Sequence, residues 1–168
     1  GNEDFGTFTR NWGNERAILP STIVGILEGG TAAILEAQRD IIVYSNITVD
    51  NDDPDVNGGD GGHLQMQAGR RIIINTGGIT IDTDNGALTL KANDCTGGSS
   101  RCTSAIRGGN TGYIIMDDGS SINTGAGDFT ATVGTFNGTG TSGKITLNDV
   151  TAHNLSVTNN GTSANSDV

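Results

Sequence analysis

The sequence predicts an all-β fold of the β-solenoid class, in which short strands follow one another around successive coils. A motif of the form apolar-x-apolar-x-Ala occurs three times, at Ala33–Ala37, Leu64–Ala68 and Leu88–Ala92. After the first two copies come a polar or charged tripeptide and two further apolar-x-apolar pairs, so one unit takes roughly 24 residues. Such a unit cannot bury its inward row alone, and it must therefore stack on its neighbours to form a rod.

The composition supports short strands joined by tight turns. Only 33% of the residues are hydrophobic and 4% aromatic, which is little for a globular core of 168 residues. The chain instead holds 27 Gly, 22 Thr and 17 Asn. Thr favours strands, whereas Gly and Asn favour turns with positive φ. Disorder is the alternative for a chain rich in Gly, Asn and Ser.

The elements can be assigned in order along the chain. Residues 1–28 carry Phe5, Phe8 and Trp12 and lack the motif, so we expect either an N-terminal cap or the remnant of a preceding coil. Coils are expected over residues 29–158. Ala32–Arg39 has high helix propensity, but propensity is worth only tenths of a kcal/mol per residue. Burial of one stacked Ile or Leu is worth about 1.5–3 kcal/mol, so the repeat predicts a strand there.

Two long loops interrupt the pattern without changing it. The first is the acidic segment Asp50–Gly62, and the second runs from about Asn93 to Gly112. Loops of this kind project from one side of a solenoid and cost little to lengthen. Strands are predicted to resume at Tyr113–Met116 and to continue to residue 158. Residues 159–168 have no periodicity and are predicted to form a disordered tail.

The charge pattern argues against several partners. The net charge is −10, and nine basic residues are scattered, with only Arg70 and Arg71 adjacent. This argues against nucleic acid, which favours a basic stripe, and against an anionic membrane surface. No apolar run of about 18 residues is present, so no membrane insertion is expected. The N-terminus does not read as a signal peptide, so an export signal is expected upstream or already removed.

The repeat lines resemble those of a known family. Gly29-Gly30, Gly61-Gly62 and Gly86-Ala87 precede the three motifs, giving lines of the form GG-x-L-x-L-x-A-G-x-x-I-x-I. These lines resemble the repeats of filamentous-haemagglutinin-like exoproteins, the secreted partners of bacterial two-partner secretion. The resemblance is good over about residues 29–92, looser over 113–158 and absent from 1–28. The Asn-Pro-rich motifs of the family's secretion domain are missing, and a Cys pair is not general in the family.

The resemblance implies both a fold and a function. The fold is a right-handed, single-stranded parallel β-helix with two loop insertions, exported through an outer-membrane partner pore. The function is that of a secreted adhesin on the bacterial cell surface, attaching to a host receptor or glycan or to biofilm-matrix polysaccharide, and so linked to virulence. We expect no enzyme activity. The alternatives are a polysaccharide-active β-helix enzyme and a self-assembling extracellular filament.

Cys95 and Cys102 enclose a Gly/Ser-rich loop and are predicted to form a disulfide, since no His or third Cys lies nearby. Two free thiols are the alternative. If the bond forms, its stabilisation is modest because the closed loop is short.

The loops are the predicted ligand contacts, because loops carry binding residues more often than repetitive strands. The predicted contact residues are Asp52, Asp53, Asp55, Asp60, Arg101 and Arg107. Together with Asp50, the acidic loop offers oxygen ligands to Ca²⁺, but its spacing matches neither the EF-hand nor the nonapeptide repeat. We therefore expect a solvated loop and no metal or other cofactor.

Two further sets of residues are candidate sites. Asp82 and Asp84, with Asp117 and Asp118 later, fit a pair of catalytic carboxylates, but Asp beside a strand is also ordinary turn chemistry. His63 and His153 could bind a metal only if the coils brought them together, and surface histidines are the simpler interpretation. No catalytic residue is therefore predicted.

Overall fold

The structure is a computed structural model that describes residues 17–52, 55, 59–75, 77–94, 112–134 and 142–161. These ranges contain one helix and thirteen strands. The elements are α1 (Pro20–Glu28), β1 (Ala33–Ala37), β2 (Asp40–Val43), β3 (Ile47–Thr48), β4 (Leu64–Ala68), β5 (Arg71–Ile74), β6 (Thr80–Asp82), β7 (Leu88–Ala92), β8 (Gly112–Met116), β9 (Ser121–Asn123), β10 (Phe129–Val133), β11 (Ser142–Thr146), β12 (Asp149–Thr151) and β13 (Leu155–Asn159).

The strands form three sheets in which all pairing is parallel. Sheet A has the order β1-β4-β7-β10-β13, sheet B the order β2-β5-β8-β11, and sheet C the order β3-β6-β9-β12. Consecutive strands belong to sheets A, B and C in turn, and one passage through the three sheets is called a circuit below. The chain is thus mostly β, as predicted, with three parallel sheets of four or five strands.

The register confirms the predicted stacking of the repeats. In sheet A, Leu35 pairs with Met66, and Met66 pairs with Leu90. The column continues through Ala131 to Val157. The segment with high helix propensity forms strand β1. Burial of its side chains against β4 outweighs the small free energy that its helix propensity would contribute.

Side chains alternate between the two faces of each sheet. Strands β4, β7 and β10 alternate buried and half-buried residues in the same phase. Met66 of sheet A, Ile72 of sheet B and Ile81 of sheet C are all fully buried and belong to one apolar cluster. The cluster therefore forms on the inward side of all three sheets, where β-branched Ile packs well in stacked rows.

Glycines let successive circuits approach closely where the chain enters sheet A. A Cβ atom on Gly62 would collide with the backbone of Thr31, and one on Gly86 with the carbonyl oxygen of Gly62. A Cβ on Gly127 would likewise collide with the carbonyl oxygen of Gly86. These glycines precede strands β4, β7 and β10, so their place in the repeat reflects backbone packing between circuits.

Helix α1 was not predicted from the repeat. It begins with Pro20 in its first turn, where the missing N–H is tolerated. Ile23 and Leu27 are buried, and the helix contacts β1 and β3, which are edge strands of sheets A and C. Residues 1–16 lie outside the described residues, so a cap or a remnant of an earlier coil both stay predictions.

The last strand runs one residue past the predicted end of the repeat. Asn159 of β13 pairs with Val133, and the N–H of Asn160 donates to the carbonyl oxygen of Val133. Residues 162–168 of the predicted tail lie outside the described residues. The described part of the chain holds no helix of the length and apolarity needed to cross a membrane.

Candidate functional site

Two kinds of corner border sheet A. The C–A corner consists of the segments that lead from sheet C into sheet A, namely residues 49–63, 83–87, 124–128 and 152–154. The A–B corner consists of the described residues that lead from sheet A into sheet B, namely residues 38–39, 69–70, 93–94 and 134. Because the sheet is parallel, the two corners lie at opposite ends of its strands.

The two predicted loops start from opposite ends of the sheet A strands. The loop from Asp50 to Gly62 belongs to the C–A corner, and the insertion after Asn93 belongs to the A–B corner. A strand of five residues is about 16 Å long at roughly 3.3 Å per residue.

The outer face of sheet A is largely polar. One outward row pairs Glu36, Gln67, Lys91, Thr132 and Thr158 across the five strands. The neighbouring row pairs Ile34, Gln65, Thr89, Thr130 and Ser156. Amide, hydroxyl and ammonium groups in register offer repeated hydrogen-bond donors and acceptors.

A cavity of about 210 Å³ lies where this face meets the A–B corner. It is lined by Lys91, Ala92, Asp94, Thr132 and Gly134. Pockets that enclose a small molecule usually measure about 300–1,000 Å³. The cavity is smaller than such a pocket.

Asp40 organises an ion-pair cluster at the A–B corner. The Arg70 Nε donates to Asp40 Oδ1 at 2.7 Å, and Arg70 Nη2 donates to Asp40 Oδ2. Arg71 Nε lies 3.2 Å from Asp40 Oδ1, and Arg71 Nη1 donates to the hydroxyl of Tyr113 at 2.7 Å. The guanidinium carbon of Arg71 is 5.5 Å from the centre of the Tyr113 ring, within range of a cation–π interaction.

The two arginines of the cluster differ in their exposure to solvent. Arg70 is only 4% exposed, and its hydrogen bond to Asp40 raises the pKa of the guanidinium above its ordinary value. Arg71 keeps 28% of its side chain exposed and remains accessible to a ligand.

Topology gathers basic residues that are scattered along the sequence. All five Lys and Arg residues of the described ranges lie in, or within three residues of, a segment that leads from sheet A into sheet B. They are Arg39, Arg70, Arg71, Lys91 and Lys144. These five are scattered along the sequence, yet each lies at or near an end of a strand that borders this corner.

No family model, no curated protein and no solved structure matches this chain.

The predicted contact residues fall into two groups. Asp52, Asp55 and Asp60 are exposed at the C–A corner. Asp53, Arg101, Arg107, Cys95 and Cys102 lie outside the described residues, so their contacts and the disulfide stay predictions. Across the described ranges, no three His, Cys, Asp or Glu side chains are placed to hold a metal ion.

The carboxylates weighed as catalytic are engaged in turn contacts. Asp82 Oδ1 accepts the backbone N–H of Asp84 at 3.0 Å, and Asp82 Oδ2 accepts the Asn123 amide at 2.9 Å. Asp84 Oδ2 accepts the backbone N–H of Asn51 at 2.6 Å. Asp84 and Asn85 have φ of 48° and 64°, a left-handed turn that Asp and Asn tolerate. These contacts are those of ordinary turn residues, which is the alternative to a catalytic role.

The two histidines lie far apart. His63 precedes β4 and His153 precedes β13, three strand spacings away in sheet A. At about 4.8 Å per strand this is about 14 Å, which is too far for a shared metal. His153 Nδ1 is 3.6 Å from Asp128 Oδ1, and both side chains are well exposed.

Sequence reasoning missed Arg39, Asp40, Tyr113, Lys91 and Lys144 as members of one site. The signal was present, because the tripeptides after the first two motifs both carry Arg at the same phase of the repeat. Aligning the repeats, rather than counting neighbours along the chain, places these charges on one corner.

Proposed function

We propose that the chain is a right-handed, single-stranded parallel β-helix that serves as a section of a secreted bacterial surface adhesin. Its role is to attach the cell to a host glycan or to matrix polysaccharide. The proposal goes beyond the three parallel sheets themselves, to which consecutive strands belong in the fixed order A, B, C. A right-handed path is supported because crossovers between parallel strands of one sheet are right-handed in about 98% of cases.

The observation that carries the proposal is the in-register outer face of sheet A. Five strands align with an apolar column inward and rows of Gln, Thr and Lys outward. A face of repeated polar groups suits a repeating ligand, since each sugar of a polysaccharide can meet the same kind of group. The adjoining cavity at Lys91 and Thr132 supports a defined contact within that face.

The setting of the molecule rests on the family resemblance. The repeat lines at residues 29–92 resemble those of filamentous-haemagglutinin-like exoproteins. That resemblance supports export through an outer-membrane partner pore and a location outside the cell, at the bacterial surface. It also favours attachment over chemistry, and the turn contacts of Asp82 and Asp84 agree with that.

The test is binding of the purified chain to a panel of immobilised neutral and acidic polysaccharides. We expect binding to at least one polysaccharide, weakened several-fold in the variant Q67A/T132A on the outer face of sheet A. The matched control is T80A/S121A, which removes a pair of touching hydroxyls from neighbouring strands of sheet C. The control should bind as the unmodified chain does, and circular dichroism should show both variants folded.

Each other result has a defined meaning. Absence of binding to every polysaccharide argues against the adhesive role. Release of reducing ends from a bound polysaccharide selects the enzyme instead. Growth of light scattering with protein concentration, with fibres in micrographs, selects the filament.

A further inference from the structure

We propose that two copies of this chain associate through the outer face of sheet B. The copies are related by a two-fold axis that is parallel to the direction in which the circuits stack. The inference goes beyond the proposed glycan binding, which uses the outer face of sheet A, and either can fail without the other. It starts from a row of isoleucines that lies outside the apolar cluster.

The central outward row of sheet B is apolar. Ile42, Ile73 and Ile115 pair across β2, β5 and β8, and the row ends at Thr146 of β11. The residues before and after the three isoleucines belong to the apolar cluster or pack against it, whereas these three do not. Since side chains alternate along a strand, the three isoleucines point outward, where they are half-buried.

The outer faces of the other two sheets are polar by comparison. Apart from Ile34, the outward rows of the described strands of sheet A carry Gln, Thr, Ser, Glu and Lys. The outward residues of the described strands of sheet C are Thr, Ser, Asp and Asn. An apolar row in register on one face marks a surface that is stabilised when a partner removes it from water.

A second copy of the chain matches this row in shape. The two-fold axis lies between the two faces and sets each strand antiparallel to the same strand of the second copy. Ile73 is midway between Arg71 and Asn75, so it faces Ile73 of the second copy. Ile42 and Ile115 face their own counterparts for the same reason. Face-to-face sheets pack about 10 Å apart, a distance that interdigitated isoleucines fill.

Charge complementarity selects this axis. The starts of the sheet B strands carry the accessible cations Arg71 and Lys144. The B–C corner, where these strands lead into sheet C, carries Asp117 and Asp118 and no Lys or Arg within its described residues, which are 44–46, 75, 77–79, 117–120 and 147–148. An axis along the stack places the cationic starts of one copy against the aspartates of the other, twice in each dimer. An axis along the strands would instead place the two cationic starts against each other.

Tyr113 offers a hydrogen-bond donor within this contact. Its hydroxyl accepts a hydrogen bond from Arg71 Nη1 at 2.7 Å, which leaves the hydroxyl's own hydrogen to donate. Asp117 follows Tyr113 by four residues, so Asp117 of the second copy lies opposite Tyr113. Asp40, the acidic residue of the same row, is paired with Arg70 and leaves the cations of the row available to the second copy.

The size of the face indicates a weak dimer. It measures about 16 Å along the strands and about 14 Å along the stack, whereas a standard interface buries about 800 Å² on each partner. We therefore expect reversible association with a Kd of about 10 µM to about 1 mM. Because both copies use the same face, association stops at two chains.

The test is sedimentation velocity of the purified chain over concentrations that span this range of Kd. We expect the mass to rise from that of one chain towards that of two. The variant Ile73→Lys places two ammonium groups against each other at the axis, so it should raise the Kd at least about tenfold. The matched control is Gln65→Lys, which adds the same charge at a half-buried position on the outer face of sheet A. Its Kd should stay within about twofold of that of the unmodified chain, and circular dichroism should show both variants folded.

A charge exchange tests the orientation of the axis without touching the isoleucines. Lys144→Asp and Asp117→Lys should each raise the Kd about four- to twenty-five-fold. An exposed charge contact is worth a factor of about two to five, and each contact occurs twice in the dimer. The double variant K144D/D117K exchanges the two charges, so it should associate more tightly than either single variant.

Four results would overturn the inference. The first is a mass of one chain at every concentration, and the second is growth beyond two chains, which selects the filament. The third is an equal rise in Kd for Ile73→Lys and Gln65→Lys, which would place the contact on another face. The fourth is a double variant that associates more weakly than both single variants, which would reject this axis. Polysaccharide binding concerns the outer face of sheet A and is tested separately.

Discussion

Asp40 joins two arginines from the next circuit, and this single residue shows how charge is held inside the stack. Its carboxylate accepts two hydrogen bonds from Arg70 and lies 3.2 Å from Arg71 Nε. Arg70 is buried, and Asp40 neutralises its charge. Arg71 is partly exposed and depends less on the pair.

The substitution Asp40→Ala should therefore lower the free energy of unfolding by about 3 kcal/mol, because it removes the carboxylate that is paired with the buried Arg70 charge. The variant Arg71→Gln, which leaves the Asp40–Arg70 pair in place, should cost no more than about 1 kcal/mol. Urea unfolding followed by circular dichroism measures both values. Similar losses in the two variants would show that burial of Arg70 is not what makes Asp40 important.

The pairing of Asp40 with these arginines could have been predicted in part. Asp40 pairs with Arg71 in the register that aligns Leu35 with Met66, so the motif alone fixes their neighbourhood. The contact with Tyr113 was harder to predict, since the insertion between β7 and β8 hides the phase of the third circuit. Charges counted along the chain gave no sign that Lys91 and Lys144 belong to the same corner.

Among the elements, strand β1 and helix α1 illustrate opposite outcomes of sequence reasoning. Ala33–Ala37 was correctly predicted as a strand, because its partner Leu64–Ala68 repeats the same pattern. Pro20–Glu28 has no counterpart in the repeat, so the helix was not predicted. Its signals were local ones, Pro20 at the start and Gly29 at the end, and such signals also occur in loops.

Helix α1 should protect the edge of the stack from association. It covers parts of β1 and β3 with Ile23 and Leu27, and Leu27 is fully buried. The variant Leu27→Asp places a charge in this contact and should release the helix, exposing unpaired strand edges that invite pairing with another chain. Light scattering coupled to gel filtration should then show an apparent mass that rises with concentration.

The control for this experiment is Thr22→Asp, which adds the same charge at an exposed position of the same helix. A carboxylate in the first turn interacts favourably with the helix dipole, so this variant should keep the mass of the unmodified chain. A Leu27→Asp variant that remains at that mass at all concentrations would show that the helix does not guard the edge.

At the scale of the molecule, the strands of each described circuit pair with those of the neighbouring circuits. Burial is unequal along the stack as a result. Phe129 of β10 is fully buried, whereas its partner Leu155 in β13 is 58% exposed. The interior circuits are thus covered on both sides, and the last strand is covered on one side within the described residues.

Stability should follow this gradient, as expected for a protein whose repeats interact mainly with their neighbours. Leu90→Ala in the middle of the column should cost about 2–5 kcal/mol and lower amide hydrogen-exchange protection in β4, β7 and β10. Val157→Ala in the half-buried last strand should cost less and lower protection mainly in β13, because the circuits before it keep their own contacts. Hydrogen exchange measured by mass spectrometry resolves the two patterns. Loss of protection in β4 and β7 after Val157→Ala, as large as after Leu90→Ala, would mean that the stack unfolds as one cooperative unit.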